Sequence, residues 1–135
     1  MLKQFVILFT LLFSISVMAA DEEEAAKTKK PSYVSLGKPM VLNLESKKKR
    51  IRFLQVSVDI LVEDDDAKEA VTVHVPALRH KVIVLLSEQN VLDMKSPSKR
   101  NDIRKLITEQ VQGLMDELSG NDDIEDVLFS SFLIQ

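Results

Sequence analysis

The side chains able to do chemistry are few and scattered. There is no cysteine, hence no thiol nucleophile and no thiolate metal ligand. The two histidines, His74 and His80, stand on either side of Pro76. At that spacing, across a proline, they share no helix face and make no metal pair; surface histidines are the simpler reading. Asp64-Asp65-Asp66 and Asp122-Asp123-Ile124-Glu125-Asp126 offer oxygen to a hard cation such as calcium. Neither run has the spaced ligands and central glycine of a calcium loop. Solvated turns, with acids at the positive end of a helix dipole, fit them better. No serine lies in a nucleophile elbow, and three glycines in all give no phosphate-cradling loop. Carboxylates are plentiful, but nothing in their order selects an acid–base pair. The expectation is no catalytic residue, no bound metal, no cofactor and no small-molecule substrate. The chain reads as a protein that acts by binding.

Charge narrows the class of partner. The formal net charge is −3 over 135 residues. A slightly acidic chain lacks the dominant positive field that nucleic acid requires. Aromatic residues are only 5% and tryptophan is absent, which argues against a surface for stacking bases or sugars. Local charge is more informative. Lys47-Lys48-Lys49-Arg50 reads as a solvated hairpin turn or as a contact for anionic lipid headgroups. Each basic residue near such a surface is worth roughly 1 kcal/mol. Lys99, Arg100, Arg104 and Lys105 form a positive flank, and Asp122, Asp123, Glu125 and Asp126 an acidic group beyond it. These eight are the candidate partner contacts, the positive flank of one subunit meeting the acidic group of a neighbour. Two solvated patches are the plainer alternative.

The elements that must carry these residues follow from pattern. Residues 1–20 read MLKQFVILFTLLFSISVMAA, followed by an acidic cluster at 21–24. A basic Lys3, an apolar stretch at 5–17 and small residues before the acids are the layout of a signal peptide cut after Ala19. The apolar run is short for a bilayer, which takes roughly 17–25 residues, but local thinning would accommodate an uncleaved anchor. In either case the remainder lies outside the cytoplasm. Without cysteine it has no disulfides and relies on an apolar core. Residues 20–32 are polar with charges of both signs and read as a linker. Residues 33–135 then form one domain.

Within that domain, residues 33–44 are extended, interrupted at Gly37-Lys38-Pro39. Residues 51–63 alternate Leu54, Val56, Val58, Ile60 and Val62 with more polar positions, which predicts a half-buried antiparallel strand. The Asp64 run starts a helix, weakened by Val71, Thr72 and Val73 and either kinked or restarted at Pro76. Residues 90–95 form a link. Ser96-Pro97 caps a second helix whose apolar stripe is Ile103, Leu106, Ile107, Val111, Leu114, Met115 and Leu118, ending at Gly120. Lys99, Arg100, Arg104 and Lys105 fall on the outer side of that helix. Residues 124–135, rich in β-formers to the last residue, make a paired final strand. Val127, Phe129 and Leu133 should pack on the second helix. The fold class is therefore α+β: a small antiparallel sheet with two helices on one face.

Met40-Val41-Leu42-Asn43-Leu44, Phe53-Leu54-Gln55-Val56-Ser57-Val58, Pro76 to His80 with Leu85-Leu86-Ser87, Arg100 to Ile107, and Val127-Leu128-Phe129 through Ile134-Gln135 recur in one order and spacing. Together they resemble the flagellar basal body-associated protein FliL family over residues 38–135. Lys99-Arg100 stands where a Gly-Lys pair is common in that family, and Leu128 where tyrosine is common. The N-terminus lacks the usual basic stub and full membrane helix, so the chain resembles a FliL-like paralogue. The resemblance implies a fold similar to stomatin-type domains and no enzymatic activity. It implies a periplasmic place at the inner membrane beside the flagellar basal body. It also implies assembly into a homo-oligomeric ring, and binding or stabilising of motor stator units in support of swimming, swarming and chemotactic motility. A FliL-like scaffold serving a non-flagellar complex is the alternative.

Cleavage after Ala19 predicts that the exported chain begins at Ala20. N-terminal sequencing of protein from the envelope fraction decides this, and a membrane-retained start at Met1 would favour the anchor.

Overall fold

The computed structural model describes residues 29–47, 50–121 and 123–135. The segment read as a signal peptide or anchor, 1–19, and most of the segment read as a linker, 20–32, lie outside the described residues. The described chain runs β1 (Ser32–Ser35), β2 (Met40–Leu44), β3 (Arg52–Val62), α1 (Asp65–Ser87), α2 (Val91–Lys95), α3 (Pro97–Ser119) and β4 (Ile124–Ile134). It is an α+β fold built on one antiparallel sheet.

β3 is the central strand. Its alternate residues Leu54, Val56, Val58, Ile60 and Val62 are almost completely buried. β1 and β2 follow one another along one edge of it. Ser32 to Ser35 lie opposite Val62 to Asp59, and Met40 to Leu44 opposite Val56 to Arg52. The interruption between them falls at the expected Gly37-Lys38-Pro39. Leu36 N–H still reaches Val58 O at 3.0 Å. Gly37 then takes a φ of 95°, which a side chain would resist. Arg79 of α1 closes the gap, donating from Nη1 to Leu36 O at 2.9 Å and to Lys38 O at 2.6 Å.

β4 covers the other edge of β3, from Ile124 opposite Val62 to Ile134 opposite Leu54. Phe53 and Gln135 exchange backbone bonds beyond it at 3.1 and 2.9 Å. The register shifts twice, near Glu125 and near Ser130. Each shift adds a residue to β4 and reverses which side chains face the helices. Val127 is buried and Phe129 and Phe132 pack against the core. Leu133, expected against the second helix, is instead 50% exposed on the open face of the sheet.

The helices cover the other face. Asp64 caps α1, accepting from Ala67 N–H at 2.8 Å. The helix runs unbroken through Pro76 and through the β-branched Val71-Thr72-Val73. Ala67, Val71, Leu78, Val82 and Leu86 are buried along one side, and burial outweighs weak propensity. Pro76 is exposed, so the backbone group it leaves without a partner faces water. α1 has the length and apolar composition of a membrane span. One side of it, Ala67, Val71, Leu78, Val82 and Leu86, is buried in this core.

The expected link at 90–95 contains a short helix, α2. Asn90 caps it, accepting from Asp93 N–H at 2.9 Å. Val91 N–H donates to Glu45 O at 3.0 Å, and Glu45 N–H to Gln89 O at 3.2 Å, which pins α2 to the end of β2. α3 starts at the Ser96 cap and ends at Gly120 with φ 66°, as the sequence indicated. Its buried row is narrower than the predicted stripe. Ile103, Ile107, Thr108, Val111 and Met115 are buried. Leu106 and Leu118 are 42% and 43% exposed. The helix rests on the row of residues four apart, and the other flank of the stripe reaches solvent.

Leu54→Ala removes a fully buried side chain and should lower unfolding free energy by about 2–5 kcal/mol. Leu133→Ala, on the open face, should cost less than about 1 kcal/mol. Denaturant melts of both variants check the assigned facing; equal losses would show that β4 is registered wrongly.

Candidate functional site

The candidate contacts do not form one patch. Lys99 and Lys105 are exposed on α3. Arg100 is half-buried, its guanidinium 4.7 Å from the centre of the Phe132 ring. This cation–π contact holds the arginine against β4 rather than outward. Phe132 in turn lies 5.8 Å from Phe129, the rings tilted by 31°.

Arg104 is committed inside the chain. Its Nη1 pairs with Asp126 Oδ1 and also donates to Val127 O at 3.3 Å. Its Nε and Nη2 donate to Asn101 Oδ1 at 3.3 and 3.1 Å. The buried Thr108 completes the joint. Its hydroxyl accepts from Val127 N–H at 3.1 Å and lies 3.0 Å from Arg104 O and 3.1 Å from Asp126 Oδ1. Asp126 Oδ1 also accepts from Val127 N–H at 2.9 Å. Two residues read as outward contacts, Arg104 and Asp126, thus meet each other and fasten α3 to β4. Asp126 adjoins the bulge near Glu125 and its carboxylate reaches α3, which alternation did not foretell.

The rest of the acidic group is dispersed. Glu125 is exposed and Asp123 half-buried, with Asp123 O accepting from Glu63 N–H at 3.1 Å. Asp122 lies outside the described residues, as do Lys48 and Lys49. Lys29 pairs with Glu63 at this same end of the domain. That hydrogen bond and the Glu63 charge raise the lysine above its ordinary pKa. It is fully charged at neutral pH in either case, so the contact adds no pH dependence there.

His74 is half-buried and His80 exposed on α1. Among the described residues no group of three His, Asp or Glu side chains could hold a metal ion. The described surface does hold a cleft of about 340 Å³ where α2 meets the facing ends of β2 and β3. It is lined by Glu45, Ser46, Lys47, Arg52, Asn90, Val91, Leu92, Asp93 and Lys95. Sequence reasoning missed this cleft and the structural roles of Arg79 and Thr108. A lone arginine or threonine on a helix carries no signal until its partner strand is in place.

An antiparallel sheet with helices on one side and charged, mostly exposed flanks defines a small α+β domain that presents surfaces. The chain belongs to the FliL family: the model of the flagellar basal body-associated protein FliL matches residues 33–135. This is a structural accessory family of the flagellum. No curated protein matches the chain.

The Arg104–Asp126 joint predicts coupling within one chain. A double-mutant cycle with Arg104→Ala and Asp126→Ala should give about 0.5–3 kcal/mol of coupling in unfolding free energy. The value should not vary with protein concentration. Coupling that disappears on dilution would place the pair between subunits instead.

Proposed function

We propose that this protein is a non-enzymatic accessory of the flagellar motor that binds stator units at the periplasmic side of the inner membrane. It self-associates there, as a ring of like subunits, and supports swimming, swarming and chemotactic motility. The family match over residues 33–135 carries this reading.

The domain's surfaces suit it. Among the described residues the outer edges of the sheet, along β1–β2 and along β4, pair with no further strand; the bridge of Glu45 to Asn90 lies just past the end of β2. Such edges offer backbone donors and acceptors to a neighbour. A heterologous contact between two different flanks closes into a ring when the rotation between subunits permits. Since Arg104 and Asp126 are spent internally, exposed Lys99, Lys105 and Glu125 are left as the stronger candidates for charge contacts between subunits. Arg100, Asp122 and Asp123 stay secondary candidates. Such charges set register and approach rate more than affinity.

A deletion strain should lose swimming and swarming, and the tagged protein should sit at flagellar positions. Normal motility after deletion would favour the alternative scaffold outside the flagellum. In a complemented strain, Lys99→Glu with Lys105→Glu should reduce oligomer size by light scattering and swimming speed together, with melting unchanged. Adding Glu125→Lys should partly restore both. If neither quantity moves, these residues are not the contact.

A further inference from the structure

We propose that the tip formed by α2 and the facing ends of β2 and β3 docks on an anionic phospholipid surface, a headgroup phosphate entering the cleft beside Lys47, Arg52 and Lys95. Three features meet at this tip. The first is the cleft itself, about 340 Å³, with three cations in its lining. Among the described residues none of the three is held in an ion pair. The exposed Arg50 adjoins them. The two carboxylates of the lining are Glu45 and Asp93. Asp93 accepts from the Asn90 side-chain amide and keeps its charge, so three cations against two carboxylates leave the lining net positive by one.

The second feature is apolar. Leu92, in the cleft wall, is 73% exposed, and Ile51, next to Arg52, is 70% exposed. They are the two most exposed large apolar side chains among the described residues. Apolar side chains ringed by cations suit the boundary between headgroups and acyl chains: the apolar groups enter it and the cations meet phosphate. A nucleotide or free phosphate would use the cations but leave Ile51 and Leu92 in water.

The third feature is the charge asymmetry of the domain. The tip lies at one end of β3. At the other end stand Asp64, Asp65 and Asp123, with Glu63 paired to Lys29 and β1 entering beside them. An anionic surface would attract the first end and repel the second, which orients the domain before contact. The docking gives the folded domain its own attachment, independent of a leader peptide or anchor. It is also separable from the flagellar reading, since it is measured on purified protein and motility on cells.

The exported chain, recovered at its native length, would be floated with phosphatidylcholine vesicles with and without phosphatidylglycerol. Binding should require the anionic lipid and weaken as salt rises from about 0.1 to about 0.5 M. Lys47→Glu with Lys95→Glu should weaken it at least about tenfold, while Lys68→Glu on α1 should not. Ile51→Asp with Leu92→Asp should weaken it too, and all variants should melt like wild type because the sites are exposed. Equal binding of wild type and the Lys47/Lys95 variant to phosphatidylglycerol vesicles would overturn the proposal. So would capture of inorganic phosphate, or of an acidic protein surface, without vesicle binding.

Discussion

The structure depends on β3 being paired along both edges while one face is buried. Its five inward side chains fill the centre of the core, and every other strand hydrogen-bonds to it. β1, β2 and β4 therefore have no pairing without it. The helices see the same constraint from above: α1 and α3 lie over the face that Leu54, Val56, Val58, Ile60 and Val62 present. An interior of this kind is packed close to crystal density, so loss of one member is felt in both the sheet and the helices over it.

Polar groups secure what apolar burial leaves loose. Arg79 satisfies two carbonyls where β1 gives way to β2. Arg104, Thr108 and Asp126 fasten α3 to the bulged part of β4. In both places the strand is irregular, and a regular ladder cannot satisfy its backbone groups. A side chain from a helix supplies the missing partner. This is why charged residues on α1 and α3 are structural here, and why charge alone was a poor guide to the outer surface.

Much of the fold was legible because it rests on local physics. Strict alternation marked β3, the Ser96-Pro97 and Gly120 signals bounded α3, and the Asp64 cap began α1. What escaped notice was set by contacts distant in sequence. α2 forms because Asn90 caps it and Glu45 anchors it, and neither residue announces the other. Leu133 points outward because a bulge near Ser130 reverses the alternation that Val127 and Phe129 begin. A one-residue insertion in a strand leaves no mark on composition or hydropathy. The pairing of Arg104 with Asp126 likewise depends on residues distant in sequence. Arg104 and Asp126 look like free charges until α3 packs on β4.

The open face of the sheet shows how such a domain keeps one side uncovered. Along its centre Gln55, Ser57, Asp59 and Ser131 face outward, and the Ser131 hydroxyl donates to Ser57 Oγ at 3.1 Å. Apolar residues sit toward the ends instead: Val41, Phe53 and Leu133 near the hairpin, Tyr33 near the start of β1. Dividing apolar area by a polar middle keeps each patch small, and small patches do not drive nonspecific association. The same division leaves two separate apolar patches on one face, with β3 running between them.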